Sequence, residues 1–468
     1  VRTAPEIVSM MRALAPPGQP GLDQATMDRL SELTRALRAA VPSAAAEYAR
    51  FQAIAGRSLP LPGAALDAWL GGKSVLVTGG TGCIGARLLQ LLAGRGPRRL
   101  VSLSRGVTAH WPRLPAAEYV QADIRDRCRL NEVFGAVRPD VVFHLAAQRD
   151  PGLAEHEVHR TVTTNVLGTK NVLEAAAEFE ATQVICASTG KALRPYSPDV
   201  YAASKRVAEW LMSRAATGSR TVYSAARFTH VVDNSIVHSR LLNWCQGGPV
   251  RLHGADIAFY AESALESAEL LLAAGLGGQP GELRVHVITD LGWPVSLLGL
   301  ALGVLEGTGS AAPVYFSGYD RGYESAPFPG LYDPRTAGEV SPLLSAFEAA
   351  VAQRMACVQA DAFPLAIAAR PEPDEQLLAL TRACAATESP TVLRAALDDL
   401  SWSLLDATLS EVARPVLARA AQLAARHQAA LTPEHQRLLA ALNRVADLAP
   451  LGGEDGHQRA GQGIRISS

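Results

Sequence analysis

Cysteine, lysine and long apolar runs are all scarce in this chain of 468 residues. Six cysteines, none spaced as Cys-x-x-Cys, exclude a disulfide framework and a zinc site of the usual pattern. His156 and His159 stand three apart with no carboxylate pair at ligand spacing, so no metal is expected. No apolar run reaches the ~18–20 residues that span a bilayer, and the nearest, Trp293–Leu305, is too short. Val1-Arg2-Thr3-Ala4-Pro5 shows no apolar signal core behind its single arginine. An excess of one charge sign is missing too. Lys+Arg total 44 against 45 Asp+Glu, so electrostatics gives no reason to bind nucleic acid or an anionic membrane. A soluble, cytoplasmic protein is the expectation.

Only four of the 44 basic residues are lysines, Lys73, Lys170, Lys191 and Lys205. Arginine is the default cation of this chain, so each lysine marks a place where an ammonium able to shift its pKa is of use.

Core material is plentiful, with 48% hydrophobic and 19% charged residues, enough for two or three folded units. Residues 1–70 read as a helical extension, with Met27, Leu30, Leu33 and Leu37 recurring on one face and Pro60-Leu61-Pro62-Gly63 resembling a linker. From Lys73 the pattern changes to short continuous apolar runs separated by helical stretches. These runs are Ser74–Val77, Leu100–Leu103, Tyr119–Gln121, Val141–Leu145, Val184–Ala187 and Val222–Ala226. Such alternation predicts an α/β fold, a doubly wound parallel sheet of the Rossmann type covered on both faces. The expected layout is a dinucleotide-binding domain over 71–235, a small substrate subdomain over 236–335, a helical region over 340–450 and a disordered tail over 451–468. The leucine pattern from Leu377 onward reads as core or as the interface of a homodimer.

Thr78-Gly79-Gly80-Thr81-Gly82-Cys83-Ile84-Gly85 directly follows the first strand and opens a helix. In that setting Gly79 permits the tight turn, Gly82 lets backbone approach a pyrophosphate, and Gly85 lets helix and strand pack closely. Thr81, Cys83 and Ile84 complete the cofactor loop, with Cys83 read as a small filler of the turn. The second strand ends Leu103-Ser104-Arg105, without the acidic residue that meets a free ribose 2′-OH, so Ser104 and Arg105 favour NADP over NAD. Asp123 and Ile124, after the third strand, are placed to border the adenine.

Tyr201-Ala202-Ala203-Ser204-Lys205 lies in a helical pattern that puts phenol and ammonium on one face, where the ammonium can tune the phenol as an acid/base.

The order of the glycine loop, His144-Leu145-Ala146-Ala147, Thr164-Asn165-Val166-Leu167-Gly168, Ser188-Thr189 and Tyr201-x-x-x-Lys205 resembles the extended short-chain dehydrogenase/reductases. The resemblance covers about Lys73–Gly309 and is nearest to the polysaccharide-biosynthesis nucleotide-sugar 4,6-dehydratases and their epimerase-like relatives. It implies NAD(P)-dependent hydride transfer, with Thr189 or Ser188 holding the substrate hydroxyl and Tyr201 exchanging its proton. Lys205 would bind the nicotinamide ribose, Asn165 would help order the site, and Leu145, Ala146 and Ala147 would line the cofactor. His144 reads as a satisfied core histidine, and Gln148 and His230 as substrate contacts.

Ser188-Thr189-Gly190-Lys191-Ala192 stands where those dehydratases carry Ser-Thr-Asp-Lys-Ala. The acid that protonates the leaving hydroxyl is thus replaced by Gly190, whereas Lys191, their α-proton base, is kept. Phe259 occupies the place of a diphosphate-binding arginine. These departures point to oxidoreduction or epimerisation of a sugar, with a nucleotide sugar as the expected substrate. The alternatives are 4,6-dehydration, a ketoreductase acting on a non-nucleotide substrate, and an NADP-binding sensor without turnover.

Overall fold

The computed structural model describes residues 2–19, 21–106, 112–194, 196, 199–323, 341–349, 351–356, 358–365, 367, 373–425 and 440; the tail expected at 451–468 lies outside the described residues. The short apolar runs assemble into a nine-stranded sheet. Its strands are β1 (Ser74–Thr78), β2 (Arg99–Ser104), β3 (Glu118–Gln121), β4 (Val141–His144), β5 (Gln183–Thr189), β6 (Val222–Phe228), β7 (Arg284–Ile288), β8 (Gln353–Arg354) and β9 (Ala360–Pro364). They lie in the order β3-β2-β1-β4-β5-β6-β7-β9-β8. Neighbours from β3 through β7 pair in parallel, whereas β9 is antiparallel to β7 and β8 to β9. The order 3-2-1-4-5-6 reverses direction between β1 and β4, which opens a crevice at the carboxyl ends of those strands. Val75, Leu76, Val77 and Val141–Phe143 are fully buried, as strands covered on both faces require.

Three strands fall outside the expected layout. β7 belongs by position to the stretch read as substrate subdomain, yet it pairs with β6 in the main sheet. β8 and β9 interrupt the region read as helical after residue 340. Ala-Asp-Ala-Phe-Pro has little strand preference of its own, and the open edge of β7 templates it through the register Arg284↔Pro364 to Ile288↔Ala360.

The two helical flanks pack on different halves of the molecule. Helices Ala4–Leu14, Gln24–Ala40 and Ala44–Ala53 bury Met11, Leu30, Leu37 and Phe51 against Val250, Leu300, Val304 and Phe316 of the substrate subdomain. The fit is close: a Cβ on Gly303 would lie 2.4 Å from the Ala44 carbonyl oxygen. Thr34 Oγ1 accepts the Val314 amide at 2.9 Å, and Glu47 accepts the Ser296 amide at 2.8 Å. Helices Asp374–Ala386 and Pro390–Glu411 instead join the core of the main sheet through Leu377, Leu380, Leu393, Leu397 and Leu404. Those five leucines are therefore core within one chain. No helix among the described residues is long and apolar enough to cross a membrane.

Candidate active site

The glycine turn sits at the carboxyl end of β1. Gly79 has φ +76°, and a Cβ there would meet the Ala146 amide nitrogen at 2.8 Å, so both conformation and space demand glycine. A Cβ on Gly85 would lie 2.4 Å from the Gly79 carbonyl oxygen, which is how closely the helix Cys83–Ala93 approaches the turn. Gly82 is exposed at the amino end of that helix, whose first amides point outward. Leu145, Ala146 and Ala147 line the facing side, the Leu145 amide bonding the Thr78 carbonyl at 3.0 Å. This cradle of bare backbone fits a dinucleotide pyrophosphate. Cys83 is buried within the turn, and burial together with Asp233 pushes its thiol up to about 12, so it is an inert filler.

At the carboxyl end of β2, Ser104 and Arg105 carry no carboxylate. Asp123 is gripped by Arg125 through Nε at 3.0 Å and Nη2 at 2.7 Å. Burial alone would raise the Asp123 carboxyl, but these bonds and the nearby Arg105 charge hold it below the usual range. Ile124 is buried, with its tip against Gly168.

Tyr201 lies in the helix Val200–Ala216, which Asp199 caps by accepting the Ala202 amide at 3.0 Å. The Tyr201 side chain faces Thr189, the last residue of β5, whose hydroxyl accepts the Lys191 amide at 3.3 Å. Burial raises the phenol above its ordinary value, while the nearby Thr189 hydroxyl and the Lys191 and Arg149 charges pull it back. The strongest favourable charge on Tyr201 thus comes from Lys191 rather than from its helical neighbour Lys205. Lys205 is buried and donates to the Ala187 carbonyl at 2.7 Å, because an enclosed ammonium needs an acceptor. Burial also lowers its affinity for its proton. Lys191 Nζ lies 3.5 Å from Asp199 Oδ2, so a carboxylate stands beside it although Gly190 supplies none. A Cβ on Gly190 would be 2.6 Å from Leu343 Cδ2, and the space an acid there would need is filled from the C-terminal segment.

Other expected residues play different parts. Ser188 donates to Glu209 at 2.6 Å, which leaves Thr189 as the hydroxyl free to face the cleft. Asn165, 1% exposed, bonds the Gln148 amide at 2.8 Å, the Gln148 carbonyl at 3.0 Å and Ser204 Oγ at 3.0 Å. It ties the β4 loop to the tyrosine helix from beneath. His144 is sandwiched between Thr78 Oγ1 at 2.7 Å and Thr169 Oγ1 at 3.0 Å, and burial drives it down to about 3. His230 bonds Ser235 Oγ at 2.6 Å and packs on Phe259; burial and Arg149 lower it to about 4, so it is neutral at pH 7.

Sequence reasoning missed three residues. Arg149 acts electrostatically on Tyr201, His230 and Cys83, and Glu209 and Glu348 clamp Arg227. Glu209 had a signal, four residues after Lys205 on a helix that is otherwise apolar there. Glu348 had none. Among the described residues no group of three or more His, Cys, Asp or Glu could hold a metal ion.

The model of the polysaccharide biosynthesis protein family matches residues 75–318, just over half of the chain. The chain belongs to this family. The chain is thereby an extended short-chain dehydrogenase/reductase of the polysaccharide-biosynthesis kind. The chain is similar to the capsular polysaccharide biosynthesis protein CapD of Staphylococcus aureus, 31% identical over 250 residues, 51% of this chain and 41% of the relative. A UDP-N-acetylglucosamine 4,6-dehydratase (inverting) of Campylobacter jejuni is 30% identical over 169 residues, 34% of this chain and 49% of the relative. The chain therefore spans about half or less of these curated relatives. Among solved structures, Pen from Bacillus thuringiensis superposes with a TM-score of 0.52 at 21% identity, covering 63% of this chain and 89% of Pen, a likeness of fold.

Proposed function

We propose that this family member is an NADP-dependent oxidoreductase that transfers hydride at a carbon of a nucleotide sugar. The net reaction is oxidoreduction or epimerisation through a keto intermediate, in glycan or secondary-metabolite biosynthesis. The observation that carries this reading is the convergence of Thr189, Tyr201 and Lys191 at the carboxyl end of β5, beside the glycine turn at the switch point of the sheet. The cofactor, when bound, supplies or accepts the hydride. Thr189 orients the sugar hydroxyl, and Tyr201 takes or gives the proton at that oxygen. The carboxylate-free end of β2 at Ser104 and Arg105 supports NADP. Gly190 under Leu343 argues against water elimination from that position. A second reading, 4,6-dehydration, is favoured by Asp199, whose carboxylate beside Lys191 could serve as an acid from another position.

Mass spectrometry with NADP and a pool of nucleotide sugars in heavy water tests both. Deuterium at carbon, or a redox change, without loss of water supports the first reading. Loss of water establishes the second, and silence across the pool removes the nucleotide sugar as substrate. Tyr201→Phe is expected to cut turnover by about 10²-fold or more while cofactor affinity holds, and undiminished turnover would remove Tyr201 from the chemistry.

A further inference from the structure

The site has a surplus positive charge with nothing on it. Arg149 follows β4 on the loop at the carboxyl edge of the sheet, beside the reversal between β1 and β4. Its backbone is fixed on both sides: Gln148 is held by the Asn165 side chain, and Asp150 caps the helix Pro151–His156 by accepting the Leu153 amide at 3.1 Å. The guanidinium makes its charge felt at Tyr201, His230 and the turn residue Cys83, lowering the pKa of each. It nevertheless makes no hydrogen bond or ion pair with any described residue. The other cations there are engaged, Lys191 by Asp199 and Lys205 by the Ala187 carbonyl. The nearby carboxylates are engaged as well, Asp150 with Arg240 and Asp233 with the Ala264 amide. Beside Arg149, the buried Nε2 of Gln148 is a donor without an acceptor. Across the cleft Phe259, packed on His230, brings no charge.

An exposed arginine with a fixed backbone, an orphan amide donor at its side and no acidic partner suits an anion that is not part of the protein. We propose that Arg149 binds the diphosphate of a nucleoside-diphosphate substrate, supplying from the β4 loop the charge that Phe259 does not. This rests on the nucleotide-sugar reading and names the residue that selects for it. Two diphosphates reach this cleft, the substrate's and the cofactor's; the next residue, Asp150, pairs with Arg240, and Tyr323 Oη would lie 3.1 Å from a Cβ on Gly152, so the loop abuts the 236–335 subdomain and Arg149 is assigned to the substrate's.

Calorimetric titration of UDP, GDP, inorganic pyrophosphate and NADP into the full chain and into Arg149→Met and Arg149→Lys distinguishes them. The expected result is binding of at least one nucleoside diphosphate by the wild type, weakened about 10- to 100-fold in Arg149→Met and less in Arg149→Lys, with NADP affinity within about twofold. Unchanged nucleoside-diphosphate affinity in Arg149→Met overturns the assignment while leaving the substrate class intact. A loss confined to NADP, or shared equally by it, overturns it in favour of the cofactor's phosphates. A wild type that binds NADP but no nucleoside diphosphate overturns the substrate class and this proposal together.

Discussion

Glu348→Gln is the perturbation whose cost can be worked most directly from the structure. Arg227 is fully buried and accepts no help from water. Its guanidinium bonds Glu209 at 2.7 and 2.8 Å and Glu348 at 2.6 and 2.8 Å. Arg206 stands nearby, so two arginines face two carboxylates in a closed pocket. The amide keeps one acceptor and the shape of Glu348 but leaves Glu209 as the one carboxylate paired with Arg227. Removing one partner of a buried pair costs about 3–5 kcal/mol, and the retained acceptor places the expected loss near the lower end, about 3 kcal/mol. With a urea m-value of about 3 kcal/mol/M or more for a chain of this size, the unfolding midpoint should fall by up to about 1 M. Tryptophan fluorescence is a suitable probe, because Trp210 is fully buried next to Glu209. The double variant Arg227→Met/Glu348→Leu should lose less than the single one, since it leaves no uncompensated charge. Burial alone would raise the Glu348 carboxyl, but Arg227 and Arg206 hold it below its ordinary value. A depressed folded pKa gives stability that is present above the unfolded value and lost as pH falls through the folded one, so the variant's deficit should vanish in acid. A midpoint within about 0.2 M of the wild type at pH 7 would refute the argument, showing that Glu209 alone satisfies Arg227.

Gly190→Asp should destabilise by about 1–3 kcal/mol through overpacking against Leu343, and Leu343→Ala in the same chain should recover part of it; equal losses with and without the second change would show that Leu343 does not set the limit. Arg105→Asp should weaken NADP at least about 10-fold while sparing NAD, measured by titration of both cofactors, and parallel losses would deny Arg105 its role. Burial raises the Glu262 carboxyl to about 8 from 4.5. Its contribution to stability is therefore complete below pH 4.5 and declines as pH rises to about 8, so Glu262→Gln should flatten the fall in Tm over that window. Identical Tm profiles for the two proteins would contradict a buried neutral Glu262.

Much of this molecule is determined within short stretches of chain. A run such as Ser74–Thr78 reads as a buried strand because Val75, Leu76 and Val77 leave its middle no polar face, and Gly79 must follow because only glycine takes φ +76° against the Ala146 amide. The pairing of Tyr201 with a lysine one turn away is likewise a local fact of helical spacing. Tertiary structure decided what depends on distant segments meeting. Residues 341–349 share no sequence pattern with the Ser188–Lys191 stretch, yet they place Leu343 over Gly190 and Glu348 on Arg227. Whether Tyr201 feels Lys191 or Lys205 most strongly turned on where each ammonium found an acceptor, Asp199 for one and the Ala187 carbonyl for the other. Ser188 and Thr189, adjacent and chemically alike, were separated only by the strand's alternation, which turned one hydroxyl into the Glu209 cluster and the other toward Tyr201. Periodicity and glycine placement are read from neighbours in sequence, whereas the charge and space around a reacting group are set by neighbours in space.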